Sequence, residues 1–205
     1  MTEHHPSKIV CVGRNYAAHA RELGHDVPER PLLFLKPPSA LIRSGAAIEL
    51  PADSSRVEHE AEIGIIIGRR ARDVTATEAM DVVAGFAAVN DVTARDLQKL
   101  DVQFTRAKGY DTFCPVGPLA PADDWKALEI IARVNGDVRQ HGRAQDMIFG
   151  IPELIAYITR IMTLEPGDIV ATGTPEGVGP LAPGDVVEVE IPGISSTRNP
   201  VRLRT

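Results

Sequence analysis

Residues 57–68 read Val57-Glu58-His59-Glu60-Ala61-Glu62-Ile63-Gly64-Ile65-Ile66-Ile67-Gly68. Polar and apolar residues alternate at first, the period of a strand with one wet face. From Ile63 onward the stretch is apolar on both sides, because Ile63, Ile65 and Ile67 project one way and Ile66 projects the other, beside Gly64. A strand apolar on both faces belongs in the middle of a sheet with layers packed over each side. The spacing therefore predicts one central strand over 57–68, with Glu58, Glu60 and Glu62 sharing a face and His59 on the opposite one.

Working outward, Lys8–Val12 and Leu32–Leu35 read as short apolar strands. Between them Tyr16–Leu23 reads as a short helix followed by a Gly/Pro loop, Gly24–Pro31, so that residues 14–31 form a candidate lid. Thr77–Phe86 is expected to be a helix capped by Thr75 or Thr77, running into a buried stretch Ala87–Val89 that stops at Asn90-Asp91. Leu128–Val134 is a strand, Asn135-Gly136 is a two-residue hairpin signal, and Val138–Gln140 begins the return. Ile151, Leu154, Ile155, Ile158, Ile161 and Met162 fall on one helical face with Pro152 in the first turn. Asp168–Thr172, Asp185–Ile191 and Pro200–Arg204 complete the strands. Strands outnumber helices and the two do not alternate strictly, which predicts an α+β fold, mostly β. No repeat or long polar linker divides the 205 residues, so we expect a single domain over 1–205.

The charge balance removes several functions from consideration. Lys and Arg total 22 against 28 Asp and Glu, a net charge of −6, and no run of basic residues exceeds two. That argues against nucleic acid and against anionic membrane surfaces as partners. With 5 Phe, 3 Tyr and 1 Trp, aromatics are too sparse for a base-stacking platform. The longest apolar stretch, Val82–Val89, is less than half a membrane span, and the first residues lack a basic region followed by an apolar one. A cytoplasmic location is expected. Cys11 and Cys114 have no CxxC spacing and read as buried thiols.

The chemistry concentrates in the carboxylates. In a strand Glu60 and Glu62 stand on one face about 6.6 to 6.8 Å apart along it, close enough to converge on one cation. The chain carries its own control: Glu188 and Glu190 have the same spacing, but Val187, Val189 and Ile191 alternate cleanly behind them, which describes a solvated face. What separates Glu60 and Glu62 is their continuation into a strand buried on both sides, where a carboxylate must be paired, protonated or bound to metal. Asp91 ends another buried run and offers a third oxygen ligand. Three carboxylates without Cys or His suit a hard cation, Mg²⁺, Mn²⁺ or Ca²⁺. Glu58 shares the strand face and is a rival ligand.

Among the histidines, His4 and His5 fall at the terminus, His25 and His141 in turns, and His59 opposite the glutamates. His19 differs because Glu22 follows at i+3 on a short helix, where a carboxylate can orient an imidazole to act as general base on water. Lys108 and Lys36 sit beside Gly or Pro turns where a cation could meet an anionic substrate, although an exposed lysine ordinarily serves only solubility. The segment TGTPEGVG, 172–179, follows a strand with closely spaced glycines whose N–H groups could cradle an anion. It lacks the signatures of a P-loop and of a dinucleotide fold.

Taken together, IVCVGRNYAAHARE, PLLFLKP, VEHEAEIGIIIG, AVNDVTARDLQ, FTRAKGYDTFCPVGP, RVNGDVRQHGRAQDMIF and GDIVATGTPEGVG resemble the fumarylacetoacetate hydrolase family, in order over residues 8–191. The resemblance implies a mixed β-sheet roll with a short lid helix near the N-terminus, a homodimer, and Mg²⁺ or Mn²⁺ held by Glu60, Glu62 and Asp91. It puts His19 and Glu22 in the position of the family's His-x-x-Glu dyad and Lys108 in that of its active-site lysine. It puts Arg14 or Arg95, Gln98 and Thr174 at positions that contact substrate, and Glu58 where the family varies. The implied reaction is divalent-metal-dependent hydrolysis of a C–C bond in a small 2-oxo or 2,4-dioxo acid of acylpyruvate or fumarylpyruvate type. A 2-hydroxyhepta-2,4-diene-1,7-dioate isomerase or an oxo-acid decarboxylase on the same site is the alternative. The segment from Gln98 to Lys108 is shorter than in the animal acylpyruvate hydrolase and oxaloacetate decarboxylase members, which leaves the substrate open.

Overall fold

The computed structural model describes residues 5–22, 24 and 26–204. Its strands are β1 Ile9–Gly13, β2 Leu32–Lys36, β3 Leu41–Arg43, β4 Ile48–Leu50, β5 Val57–His59, β6 Ala61–Ile67, β7 Val83–Asn90, β8 Thr93–Ala94, β9 Cys114–Val116, β10 Glu129–Val134, β11 Asp137–Arg143, β12 Ile169–Ala171, β13 Gly179–Pro180, β14 Val186–Ile191 and β15 Ser195–Leu203. The helices are α1 Ala17–Glu22, α2 Arg95–Leu100, α3 Thr105–Lys108 and α4 Ile151–Thr159. The fold is α+β and mostly β. A seven-stranded mixed sheet runs β2-β1-β12-β6-β7-β9-β3, a five-stranded sheet runs β11-β10-β14-β15-β4, and a small sheet joins β13, β5 and β8.

β6 lies at the centre of the large sheet, antiparallel to both β12 and β7. Strands β10, β14 and β15 pack across β6, β7 and β9, so the five-stranded sheet covers one face. Ile63, Ile65 and Ile67 are buried in the core between the sheets, together with Ile130, Val187 and Val189. Ile66 belongs to a second core on the other face, with Ile9, Ala87, Val89 and Ala171. Gly64 faces that side, where a Cβ would stand 2.5 Å from Val89 Cγ2 and 3.0 Å from the Ala87 carbonyl oxygen. The two-faced apolar pattern is thus a central strand, and truncating any of these isoleucines to alanine is expected to cost about 2–5 kcal/mol.

The strand over 57–68 is not continuous, however. It breaks at Glu60, and β5 joins a different sheet from β6. The cause is local: the Glu60 N–H donates to Asn90 Oδ1 at 3.0 Å, the Ala61 N–H to Gln140 Oε1 at 3.0 Å, and the Glu60 carbonyl accepts the Asp91 N–H at 2.8 Å. Two side chains take the donors that a straight ladder would use.

The expected helix over Thr77–Phe86 also fails. Only a single 3-10 turn forms, Ala79–Val82, and the chain then enters β7. The apolar run VAGFAAV is claimed by β6 on one side and by β9 on the other, and that tertiary pairing overrides local helix preference. Helix α1 ends at Glu22, and Leu23 of the expected helix lies outside the described residues, as do His4 and His25. Helix α4 buries Ile151, Leu154, Ile155 and Ile158 but stops at Thr159, which leaves Ile161 exposed and Met162 half-buried. β10 and β11 form the hairpin about Asn135-Gly136. His141 stands within β11 rather than in a turn, with its Nε2 3.0 Å from Glu129 Oε2. No described helix is long and apolar enough to cross a membrane.

Candidate metal centre and active site

The break at Glu60 delivers three carboxylates to one point. Glu60 comes from the break between β5 and β6, Glu62 from the start of β6, and Asp91 from the turn after its partner β7. They are only 4%, 2% and 0% exposed, and one oxygen from each lies within 4.8 Å of the others. Glu58, the rival on the predicted strand face, is turned away by the break and pairs with Arg56 and Arg95 instead.

Buried negative charge on this scale needs compensation. Lys108 Nζ donates to Glu60 Oε2 at 2.7 Å and to Asp91 Oδ2 at 2.6 Å. Lys36 Nζ donates to the other Asp91 oxygen at 2.6 Å. Lys36, read as a cation that could meet an anionic substrate, instead ends the edge strand β2 with its side chain wholly buried against Asp91. Arg95 Nη2 donates to Glu60 Oε1, and its Nη1 to Gln98 Oε1 at 2.5 Å. Burial works to raise the Glu60 carboxyl, but Lys108 and Arg95 overcome that and hold it well below the usual range. The same burial penalises the Lys108 ammonium, and Asp91 and Glu60 reverse it, keeping the lysine charged.

Glu62 is treated differently. It makes no ion pair among the described residues, and its Oε2 accepts only the Gly173 N–H, at 2.9 Å. Burial and the neighbouring Asp91 and Glu60 charges push its carboxyl well above the usual range. Gly173 reaches Glu62 at φ +98°, where a side chain would strike Asn15 Cβ at 2.8 Å and the Val12 carbonyl oxygen at 3.0 Å. The glycine-rich segment does offer N–H groups to anions, but the anions are the chain's own: Gly177 N–H donates to Glu22 Oε1 at 3.1 Å.

An oxygen-only cluster with one carboxylate lacking a cation fits a hard divalent ion, and Glu60, Glu62 and Asp91 are the groups that could hold it. They form the floor of a cavity of about 350 Å³ that Arg14, His19, Arg95, Gln98, Lys108 and Thr174 also line. The structure brings every predicted site residue except Glu22 to this lining. Glu22 stands behind His19, with its Oε2 3.0 Å from His19 Nδ1. Arg14 reaches the cavity through a left-handed backbone, φ +58°, as the chain turns from β1 toward α1. Thr174 Oγ1 donates to the Ala61 carbonyl at 2.9 Å and accepts from Gln140 Nε2 at 2.8 Å.

Sequence reasoning missed Lys36 as an Asp91 partner, Asn90 and Gln140 as the residues that break the strand, and the apolar wall. Leu32, Phe34 and Phe104 form that wall, the two rings edge to face at 5.5 Å, with Lys108 Nζ 5.0 Å from the Phe34 ring centre. A lysine closing the otherwise apolar run Leu32–Leu35 was the available signal for the first of these.

The central sheet and the buried acidic cluster on a cavity floor define the class, an α+β protein with a candidate divalent-cation site. The chain belongs to the Fumarylacetoacetate (FAA) hydrolase C-terminal family, which matches residues 8–202. It is 47% identical over 197 residues to the mitochondrial oxaloacetate decarboxylase of Dictyostelium discoideum, covering 92% of this chain and 90% of that protein. The crystal structure of 2-hydroxyhepta-2,4-diene-1,7-dioate isomerase from Mycobacterium marinum superposes with a TM-score of 0.90 at 46% identity, covering 97% of this chain and 75% of the other. Fumarylpyruvate hydrolase from Pseudomonas aeruginosa, solved with Mn²⁺ and pyruvate, superposes with a TM-score of 0.89 at 34% identity, covering 97% and 91%. The chain is an enzyme of this family.

Proposed function

We propose that this enzyme hydrolyses the C–C bond of 2,4-dioxo acids of the acylpyruvate or fumarylpyruvate type, releasing pyruvate and a carboxylic acid. The observation that carries the reading is the His19–Glu22 contact on the same cavity as the three carboxylates. Hydrolysis, unlike isomerisation or decarboxylation, needs a base for an attacking water. A Mg²⁺ or Mn²⁺ bound by Glu60, Glu62 and Asp91 supplies Lewis acidity toward the oxygens of the oxo-acid head.

The chain's own groups do the rest. With Nδ1 turned to Glu22, His19 keeps Nε2 free to take the proton of a water that adds to the C4 carbonyl. The C3–C4 bond then breaks, its electron pair goes to C3, the acyl carbon leaves as the carboxylic acid, and the proton held on His19 is returned to C3 to complete pyruvate. A lysine ammonium has three protons. Lys108 gives two to Glu60 and Asp91, which leaves one for the negative charge that develops on the pyruvate fragment. Arg14, which makes no hydrogen bond or ion pair among the described residues, is available to the substrate's anionic end. Leu32, Phe34 and Phe104 give the acyl group an apolar wall and exclude water from it.

A second reading, decarboxylase or isomerase, is favoured by sequence distance: the decarboxylase and isomerase relatives are 47% and 46% identical, the hydrolase 34%. A turnover panel with His19→Ala separates the two. Loss of pyruvate release from acetylpyruvate and fumarylpyruvate by about 10²- to 10⁴-fold supports hydrolysis with His19 as base. Full hydrolysis by His19→Ala removes that assignment.

A further inference from the structure

Glu58 lies outside the acidic cluster, yet one guanidinium ties it to that cluster. Arg95 Nε donates to Glu58 Oε2 at 2.7 Å while Arg95 Nη2 donates to Glu60 Oε1. Glu58 is itself 2% exposed, and Arg56 Nε closes its other oxygen at 2.6 Å. Glu60 therefore shares Arg95 with a carboxylate that is not in the cluster. A divalent cation and Arg95 compete for Glu60, since both are positive and both seek its oxygens. The more strongly Arg95 is drawn to Glu58, the less it opposes the cation.

We propose that Glu58 is a positioning residue that holds Arg95 against the pull of Glu60 and so sets the affinity of Glu60, Glu62 and Asp91 for their divalent cation. The proposal rests on the metal reading given under Proposed function. It assigns a task to a side chain that the break at Glu60 removes from the ligand set. Arg is required for it, because a planar fork reaches Glu58, Glu60 and Gln98 at once, whereas a lysine is a compact point charge that cannot.

The experiment is Mn²⁺ binding by isothermal titration and by EPR. Glu58→Gln keeps the size and an acceptor but loses the charge, and its Mn²⁺ Kd is expected to rise about tenfold. Arg56→Gln alters a side chain that is 57% exposed, so it is expected to fold; by leaving Glu58 wholly to Arg95 it is expected to tighten Mn²⁺ binding. In an Arg95→Lys background, which keeps the charge but loses the fork, both effects shrink toward nothing. A Glu58→Gln protein that binds Mn²⁺ like the wild type overturns the proposal. So does an equal change in both backgrounds, which would mean plain charge rather than positioning. If the wild type itself binds no Mn²⁺, the metal reading fails as well, whereas wild-type binding with an indifferent Glu58 removes this role alone.

Discussion

Glu188 and Glu190 stand on β14, with Val187, Val189 and Ile191 buried behind them and Arg133 Nη1 donating to Glu190 Oε2 at 2.7 Å. That pair keeps its solvent: the Glu190 side chain is 31% exposed, and β14 runs unbroken between β10 and β15. Glu60 and Glu62 have the same spacing and the opposite fate. Their strand is bent by Asn90 and Gln140, it continues into a core packed on both faces, and the neighbouring turn adds Asp91. The Glu-x-Glu spacing is thus neutral information. Burial and the interrupted ladder turn it into a candidate cation site.

Removing Glu62 tests the contrast hardest. Glu62→Ala is expected to weaken Mn²⁺ binding beyond the about 10- to 100-fold that outer contacts are worth, with turnover lost alongside, as measured by titration and steady-state assay. Asp91→Asn strikes the charge balance, since Lys36 and Lys108 both depend on that carboxylate. Breaking buried pairs in this way costs about 3–5 kcal/mol, to be read from urea unfolding. His19→Ala is expected to leave Mn²⁺ affinity intact while lowering kcat, which separates the proposed base from the carboxylate cluster.

A smaller effect concerns the helix that carries Arg95. Asp96 accepts hydrogen bonds from Ser54 Oγ, Ser55 N–H and Ser55 Oγ at 2.7, 2.7 and 2.9 Å. Burial works to raise its pKa, and these bonds lower it from an ordinary 3.8 to about 2. A depressed carboxyl contributes stability that is present above its unfolded value and lost as pH falls through its folded one. Asp96→Asn is therefore expected to be less stable at neutral pH by about 1 kcal/mol, a figure reduced for solvent screening. The two unfolding curves should converge as pH drops from 3.8 toward 2. Smallest of all, Glu188→Gln with Glu190→Gln should stay within about 0.5 kcal/mol of the parent and bind Mn²⁺ unchanged.

The contrast also marks what could be read without coordinates. The two-faced run Ile63–Ile67, the hairpin at Asn135-Gly136 and the buried face of α4 follow from period and turn chemistry, which are local. The break at Glu60 was not legible, because it depends on Asn90 and Gln140, 30 and 79 residues from the N–H groups they take. The pairing of Lys36 with Asp91 was not legible for a related reason. A lysine beside two prolines is exposed unless a distant carboxylate claims it, and Asp91 does so from 55 residues away. The segment Val83–Asn90 is partly helical by local pattern and becomes a strand because its partners, β6 and β9, outweigh that preference. Glu60, Glu62 and Asp91 were recoverable because burial of their strands showed in the flanking apolar residues, while Glu58 could be set apart only once the break was seen.

The most direct test is turnover of the purified chain on acetylpyruvate, fumarylpyruvate, oxaloacetate and 2-hydroxyhepta-2,4-diene-1,7-dioate, stripped with chelator and then reloaded with Mg²⁺ or Mn²⁺. Pyruvate release from the 2,4-dioxo acids is expected to disappear on stripping and to return with the metal, as hydrolysis at this site requires. Decarboxylation or a change in diene absorbance without any pyruvate from the 2,4-dioxo acids would contradict it.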